Sequence, residues 1–196
     1  LAHIINATLE RNPNLPPEAV EDIIMGCGNP EGAQGHNVGR NAAVLSNLPI
    51  TTGGTTINRY CSSGMQSISM AASQIMAGCY DTVIAGGAET ISMMQGKQNM
   101  DNFVNERLAE KSPGIYYPMG MTAEVVAKRY NVSREAQDEY AFESQMRTAA
   151  AQQAGAYDDE IIPMETKMLL MNKETGDSKE IDYCVETVSY THLRAH

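Results

Sequence analysis

The stretch from Thr55 to Gly87 constrains the fold more than any other part of the chain. Thr55-Thr56-Ile57 is a β-branched run of the kind that favours a strand. Ser62 to about Ala77 then reads as a helix, with Met65, Ile68, Ala72, Ile75 and Met76 on one stripe and Gly78 at its C-terminal end. Thr82-Val83-Ile84-Ala85 follows as a short apolar strand stopped by Gly86-Gly87. Strand, helix and strand within about 30 residues make a βαβ crossover, which requires a parallel sheet with helices on its faces.

The flanking sequence extends this pattern. Leu1, Ile4, Ile5 and Leu9 repeat at helical spacing until Asn12-Pro13 stops them. Pro16-Pro17 opens a short helix, and Ile23-Ile24-Met25 reads as a buried strand running into Gly26-Cys27-Gly28. After a Gly/Asn/Pro-rich loop, Val38 to Leu48 forms another helix ended by Pro49. The texture changes near Ser92: residues 97–134 carry six Lys or Arg and four acids, whereas 135–182 carry twelve acids and four bases. One helix is expected from about Met121 to Tyr130, and a second from the N-cap Ser133 to Gly155. A short strand at Glu160 to Glu165, with Pro163 marking an edge, and a hairpin turning at Glu174-Thr175-Gly176-Asp177 complete the readable part.

Composition excludes several classes of function. The 196 residues are 42% hydrophobic, which suits one globular domain or one and a fraction and rules out disorder. No apolar run approaches the ~18–20 residues of a membrane span. A net charge of -10 makes the chain a poor general binder of nucleic acid or anionic membrane. The four cysteines, Cys27, Cys61, Cys79 and Cys184, lack CxxC spacing and the four His are scattered, so neither a zinc site nor a disulfide framework is expected. Free thiols fit a reducing compartment.

Both ends are expected to be truncated. The chain opens at Leu1, already inside a helical pattern, so a preceding segment is expected and the lack of a signal peptide says nothing about export. From Val188 to His196 the character shifts abruptly. That stretch holds two of the four His and its only charged side chain is Arg194; it resembles sequencing-adapter read-through and is expected to be a non-native tail.

The chemistry is expected at Asn58-Arg59-Tyr60-Cys61-Ser62-Ser63-Gly64, where a strand ends and a helix begins. A thiol at Cys61 would meet the partial positive charge of the helix N-terminus, which favours thiolate. Small residues at 62–64 leave first-turn amides open to a substrate carbonyl oxygen, the geometry of a covalent acyl-transfer nucleophile. A Cys beside a strand is also a common buried structural thiol, and the residues alone leave both readings standing. Ser62 and Ser63 sit in no G-x-S-x-G elbow and suit N-cap duty better. His36 can serve as a base, but a solvated loop His is the simpler reading. Gly26, Gly28, Gly32 and Gly35 fail the G-x-G-x-x-G spacing of a dinucleotide loop. Cys27 and Cys79 read as small core or strand-end residues, and Met65, Met70, Met76, Met93 and Met94 as core packing.

Three runs resemble the thiolases (acetyl-CoA acyltransferases): GHNVGRNAAVLSNLP, NRYCSSGMQSI with AGCYDTVIAGGAETISMM, and MGMTAEVVAKRYNVSREAQDEYAFESQ. The third separates thiolases from the ketoacyl synthases that share the fold. The likeness covers residues 1–187. It implies an α/β chain: a layered α/β/α N-terminal domain over 1–91 without its first strand, part of an inserted lid-like loop domain over 92–187, and the tail 188–196.

The resemblance also implies a reaction. Cys61 becomes acylated in thiolytic cleavage of a 3-ketoacyl-CoA by CoA. CoA and acyl-CoA are substrates, and neither metal nor redox cofactor is implied. Met119 and Gly120 match a motif whose Met borders the pantetheine and acyl pocket. Pro118 before them favours degradative β-oxidation enzymes, with a biosynthetic acetoacetyl-CoA thiolase as the alternative and a non-catalytic thiolase-like lipid-binding protein as the alternative of another class. Thiolases have about twice this length, and their second half supplies the activating His, the proton-handling Cys and an oxyanion-hole His with an Asn-bound water. This chain alone is therefore expected to be inactive. The family further implies a homodimer or homotetramer, located in the cytoplasm or in an organelle with a reducing lumen.

Overall fold

A computed structural model describes residues 1–172 and 175–186 of the chain. Two compact units divide between Met100 and Asp101. The tail expected at 188–196 lies outside the described residues, as does Glu174 at the expected hairpin turn.

The first unit runs through α1 (Ala2–Arg11), β1 (Asp22–Gly26), α2 (Val38–Leu45), β2 (Thr55–Ile57), α3 (Ser63–Met76), β3 (Val83–Gly87) and the single turn α4 (Ile91–Met94). Short 3₁₀ turns occupy Pro17–Ala19 and Gly32–Gln34. The three strands form a parallel sheet in the order β2-β1-β3, with Ile24 opposite both Thr55 and Ala85. All five residues of the central β1 are buried. The expected crossover and parallel ladder are present, and the unit is α/β.

Alternation along β1 divides the core into two faces. Ile23 and Met25 pack with Ile5 and Leu9 of α1, with Ala42 and Ala43 of α2, and with Val20 and Leu48. Ile24 and Gly26 point the other way, towards α3, which contacts all three strands. Helices thus cover both faces of the sheet. Full burial of an aliphatic side chain such as Ile23 or Ile24 contributes roughly 1.5–3 kcal/mol. Asp22 is also buried, and the loss of solvent raises its carboxyl above the ordinary aspartate range, with the Ile23 N–H opposing that shift in part.

The face that α3 presents differs from the expectation. Ser63, Ser67 and Ala71 are its buried residues, while Met65, Ile68 and Met76 are exposed at 76%, 59% and 88%. The cause is distance. A Cβ placed on Gly26 would come within 2.3 Å of the Ser63 carbonyl carbon, so helix and strand meet backbone to backbone and only small residues fit between them. Ser67 Oγ completes the contact by donating to the Gly86 carbonyl at 2.7 Å. Met65 and Met76 are therefore not core residues; Met70 is half-buried, and of the expected pair in α4 Met93 is exposed while Met94 is core, at 2% exposure. Cys79 is likewise exposed rather than core, whereas Cys27 is buried as expected.

The second unit contains α5 (Glu106–Lys111), α6 (Met119–Tyr130), α7 (Arg134–Gln153), β4 (Met164–Met171) and β5 (Ser178–Val185). Helix α6 starts two residues before the expected Met121, directly after Pro118, whose backbone is extended at ψ 150° and whose ring disfavours helix at the residue before it. It ends on Asn131 in the left-handed conformation, φ 52°. Ser133 caps α7 as expected, its hydroxyl accepting from the Ala136 N–H at 3.2 Å. The strand expected at 160–165 begins only at Met164, after Pro163, and runs on to Met171. It pairs antiparallel with β5 from Met164 opposite Val185 to Met171 opposite Ser178. No described residue of this unit is buried. No described helix in either unit is long and apolar enough to cross a membrane.

Candidate active site

The C-terminal ends of parallel strands are where an α/β sheet opens towards solvent and ligands. Here β1 ends at Gly26, β3 at Gly87 and β2 at Ile57, and the chain after β2 turns sharply into α3. That turn is held by hydrogen bonds of its own. The Tyr60 N–H donates to Asn58 Oδ1 at 2.8 Å, and the Ser62 N–H to the Arg59 carbonyl at 3.1 Å. Ser63 is bonded three times: its N–H and hydroxyl both donate to the Tyr60 carbonyl, at 3.0 and 2.6 Å, and the hydroxyl accepts from the Arg59 N–H at 2.8 Å. Tyr60 takes φ 46°, a strained value for a side-chain-bearing residue.

Cys61 follows this strained residue and is exposed, two positions before the first residue of α3. The expected junction of strand and helix is therefore where the thiol sits. Intrahelical bonding begins with the Gln66 N–H donating to the Ser62 carbonyl at 2.9 Å. A helix leaves its first-turn amides without intrahelical acceptors, and those of α3 are the donors nearest the thiol in sequence. Ser62 occupies the N-cap position, but its hydroxyl donates back to the Arg59 carbonyl at 2.9 Å instead of accepting from the helix. Both serine hydroxyls thus brace the turn and neither is a helix cap. His36 is exposed in its loop, at φ 60°.

Cys61 lines a cleft of about 530 Å³ together with Gly26, Gly28, Tyr60, Gly87 and Glu89. Gly26 and Gly87 at the strand ends line it, and no His does so among the described residues. Glu89 is the one acid on the wall among the described residues, and its carboxylate is held on both oxygens. Oε2 accepts from the Gly28 N–H at 2.7 Å, and Oε1 accepts from the Gln34 side-chain amide. Cys27 Sγ lies 3.9 Å from the same Oε1; burial first, and the Glu89 charge among the lesser causes, push this thiol up and keep it protonated. Cys27 is inert by this geometry. Among the described residues no three His, Cys, Asp or Glu side chains gather as a metal site.

Met119 and Gly120 belong to the second unit, where they form the exposed first turn of α6. Gln34 and Glu89 were not legible as site residues. Glu89 carried one usable signal, a carboxylate two residues past the end of a parallel strand. Gln34 carried none, since a single amide in a loop has no pattern.

Comparison with known proteins agrees with this geometry. The family described as thiolase, N-terminal domain, matches residues 1–188. A 3-ketoacyl-CoA thiolase of Bacillus subtilis (strain 168) is 51% identical over 148 residues, which is 74% of this chain and 37% of the relative. An acetyl-CoA acetyltransferase of Chromobacterium violaceum is 38% identical over 194 residues, 92% of this chain and 47% of the relative. A peroxisomal 3-ketoacyl-CoA thiolase 2 of Arabidopsis thaliana is 39% identical over 188 residues, 95% and 40%. The chain spans about two fifths of the length of the curated relatives it matches. A braced turn presenting a cysteine at the mouth of a parallel α/β sheet and a family match over nearly all of the sequence lead to one conclusion: the chain belongs to the thiolase family and carries its N-terminal domain.

Proposed function

We propose that this chain supplies the nucleophile of an acyl-CoA:acetyl-CoA C-acyltransferase that cleaves 3-ketoacyl-CoA with CoA in β-oxidation. The observation that carries this reading is Cys61, an exposed thiol on a braced turn at the start of α3, opening into the cleft at the strand ends. Cys61 Sγ attacks C3 of the 3-ketoacyl-CoA, and the first-turn amides of α3 are suited to the oxygen that gains charge there. The C2–C3 bond then breaks. The electron pair goes to C2, which takes a proton and leaves as acetyl-CoA, while the acyl group stays on sulfur as a thioester. The sulfur of CoA next attacks that thioester, forming the shortened acyl-CoA and returning the Cys61 thiolate.

Among the described residues no His lines the cleft, and family resemblance assigns the task of taking the thiol proton to a second half of the protein. The chain alone is therefore expected not to turn over. Met119 and Gly120 are proposed to border the acyl and pantetheine path. Assembly as a homodimer or homotetramer, in a bacterial cytoplasm or an organelle with a reducing lumen, belongs to the same reading; the four free cysteines are consistent with such a compartment.

The name of the Chromobacterium relative supports a second reading, a biosynthetic acetoacetyl-CoA thiolase. One experiment addresses both. The whole protein is assayed for CoA-dependent release of acetyl-CoA from 3-ketoacyl-CoA substrates of increasing chain length, and the acyl adduct is located by peptide mass spectrometry. The β-oxidation reading expects turnover on long chains, an adduct on Cys61, and loss of both in Cys61→Ala. Activity confined to acetoacetyl-CoA would favour the second reading. Undiminished turnover in Cys61→Ala would sink both.

A further inference from the structure

Gln34 does not line the cleft, yet every polar site of its side chain is engaged beside it. Its amide nitrogen donates to the Asn29 carbonyl at 2.6 Å and to Glu89 Oε1. Its carbonyl oxygen accepts from the Thr90 N–H at 2.7 Å and from the Thr90 hydroxyl at 2.8 Å. Two donors and two lone pairs are all that an amide has, so this residue, 3% exposed, is fully satisfied. Such a network holds one geometry tightly and is costly to leave half-made.

The bonds continue towards the thiol. Glu89 Oε2 holds the Gly28 N–H at 2.7 Å. Gly28 is packed between that carboxylate and the reactive turn: a Cβ there would lie 2.9 Å from Glu89 Oε2 and 3.2 Å from the Tyr60 carbonyl oxygen. The same Tyr60 carbonyl accepts both donors of Ser63 and so fixes the turn that presents Cys61.

We propose that Gln34 is a positioning residue for Cys61, pinning the Glu89 carboxylate and, through it, the Gly28 backbone on which the Tyr60–Cys61 turn is seated. This inference rests on the reading of Cys61 as the reactive thiol. Release of Glu89 acts on the thiol in two ways. The turn loses its seat and with it the alignment of Cys61 to α3, and an unpinned negative charge becomes free within the cleft, where it disfavours thiolate. Both slow the thiol.

The test uses the 196-residue chain and limiting iodoacetamide near neutral pH, with each cysteine read by peptide mass spectrometry. Cys61 and Cys79 are both exposed but flank opposite ends of α3, Cys61 at the end rich in N–H donors and Cys79 at the end rich in carbonyls, and iodoacetamide attack is favoured at the former. In the unaltered chain Cys61 therefore labels faster than Cys79, and buried Cys27 slowest. Gln34→Met is expected to slow Cys61 relative to Cys79 about two- to fivefold, the size of a helix-end effect, with Cys27 still protected. Thr90→Val, which removes one bond to Gln34, should move the ratio the same way by less. Adding Glu89→Gln to Gln34→Met removes the loose charge and should restore part of the rate. An unchanged ratio with Cys27 protected overturns the proposal. Faster labelling of all three thiols in Gln34→Met reports unfolding; Thr90→Val then decides, and an unchanged ratio there overturns it. Failure of the acyltransferase reading has a separate signature, since acyl-CoA would then leave no adduct on Cys61 of the whole protein while the iodoacetamide ratios in the 196-residue chain stayed as expected.

Discussion

The two units of this chain solve the problem of holding secondary structure in different ways. Up to Met100, a central strand buried along its whole length takes helices on both faces, and Ile23, Ile24 and Ala43 are fully removed from solvent. From Asp101 onward no described residue is buried, and order comes from short-range devices. The Ser133 cap opens α7, Arg134–Asp138 and Glu143–Arg147 pairs at 2.9 and 2.8 Å brace it, and Lys167 meets Glu180 across the hairpin at 2.7 Å. Exposed pairs of this kind contribute about 0.2–1 kcal/mol each, less than one buried aliphatic side chain. Long-range burial therefore governs the first unit, and local propensity with capping governs the second.

The sharpest way to break this comparison is to cut matched side chains in each unit. Ile23→Ala should destabilise the first unit by about 2–5 kcal/mol, as large-to-small core changes do. Leu169→Ala, at a residue 62% exposed on β4, should cost less than about 0.5 kcal/mol. Urea unfolding of both variants reads the contrast, and equal costs would mean that the second unit has a core of its own. A smaller effect is expected from Ser133→Ala. Losing the cap should cost about 1 kcal/mol, felt within α7. Hydrogen exchange should show faster amide exchange over the first turns of α7 and no change in β1. A response in β1 would show that the units unfold together.

The smallest effect concerns Asp22, where the first unit acts against itself. Its carboxyl is raised above the unfolded value of 3.8 by burial, so the fold favours the protonated form. The stability this provides is complete below the unfolded pKa and is lost as pH rises through the folded one. Asp22→Asn keeps an oxygen to accept the Ile23 N–H and cannot ionise. It should raise the melting temperature by a few degrees at pH 7, with the gain vanishing below about pH 4. A gain that persists in acid would assign the effect to packing.

Much of the fold was legible because its signals are local. Periodicity placed α1, α2 and α3, the β-branched run and the paired glycines bounded β2 and β3, and a strand-helix-strand spacing of about 30 residues required the parallel ladder. The junction holding Cys61 was legible for the same reason. The buried face of α3 was not. Its apolar stripe points outward because the approach of Gly26 to Ser63 is decided by residues 37 positions apart, and no single-helix pattern encodes that contact. The strand expected at Glu160 to Glu165 runs instead from Met164 to Met171, because pairing with β5 across the expected hairpin sets its extent and single-strand propensity does not. Gln34 escaped for a related reason: three of its four side-chain bonds reach Glu89 and Thr90, more than 50 positions away, which a lone loop amide does not announce.

The bare contact at Gly26 also bears on how steadily the Cys61 turn is held. Side chains in a core hop between rotamers, and a helix resting on them inherits some of that motion. Where α3 enters, at Ser63, it rests on peptide groups, whose bond lengths and planarity scarcely vary. The height of this end of the helix above the sheet is thus referenced to covalent geometry, and the rotamers of core side chains have little leverage on it.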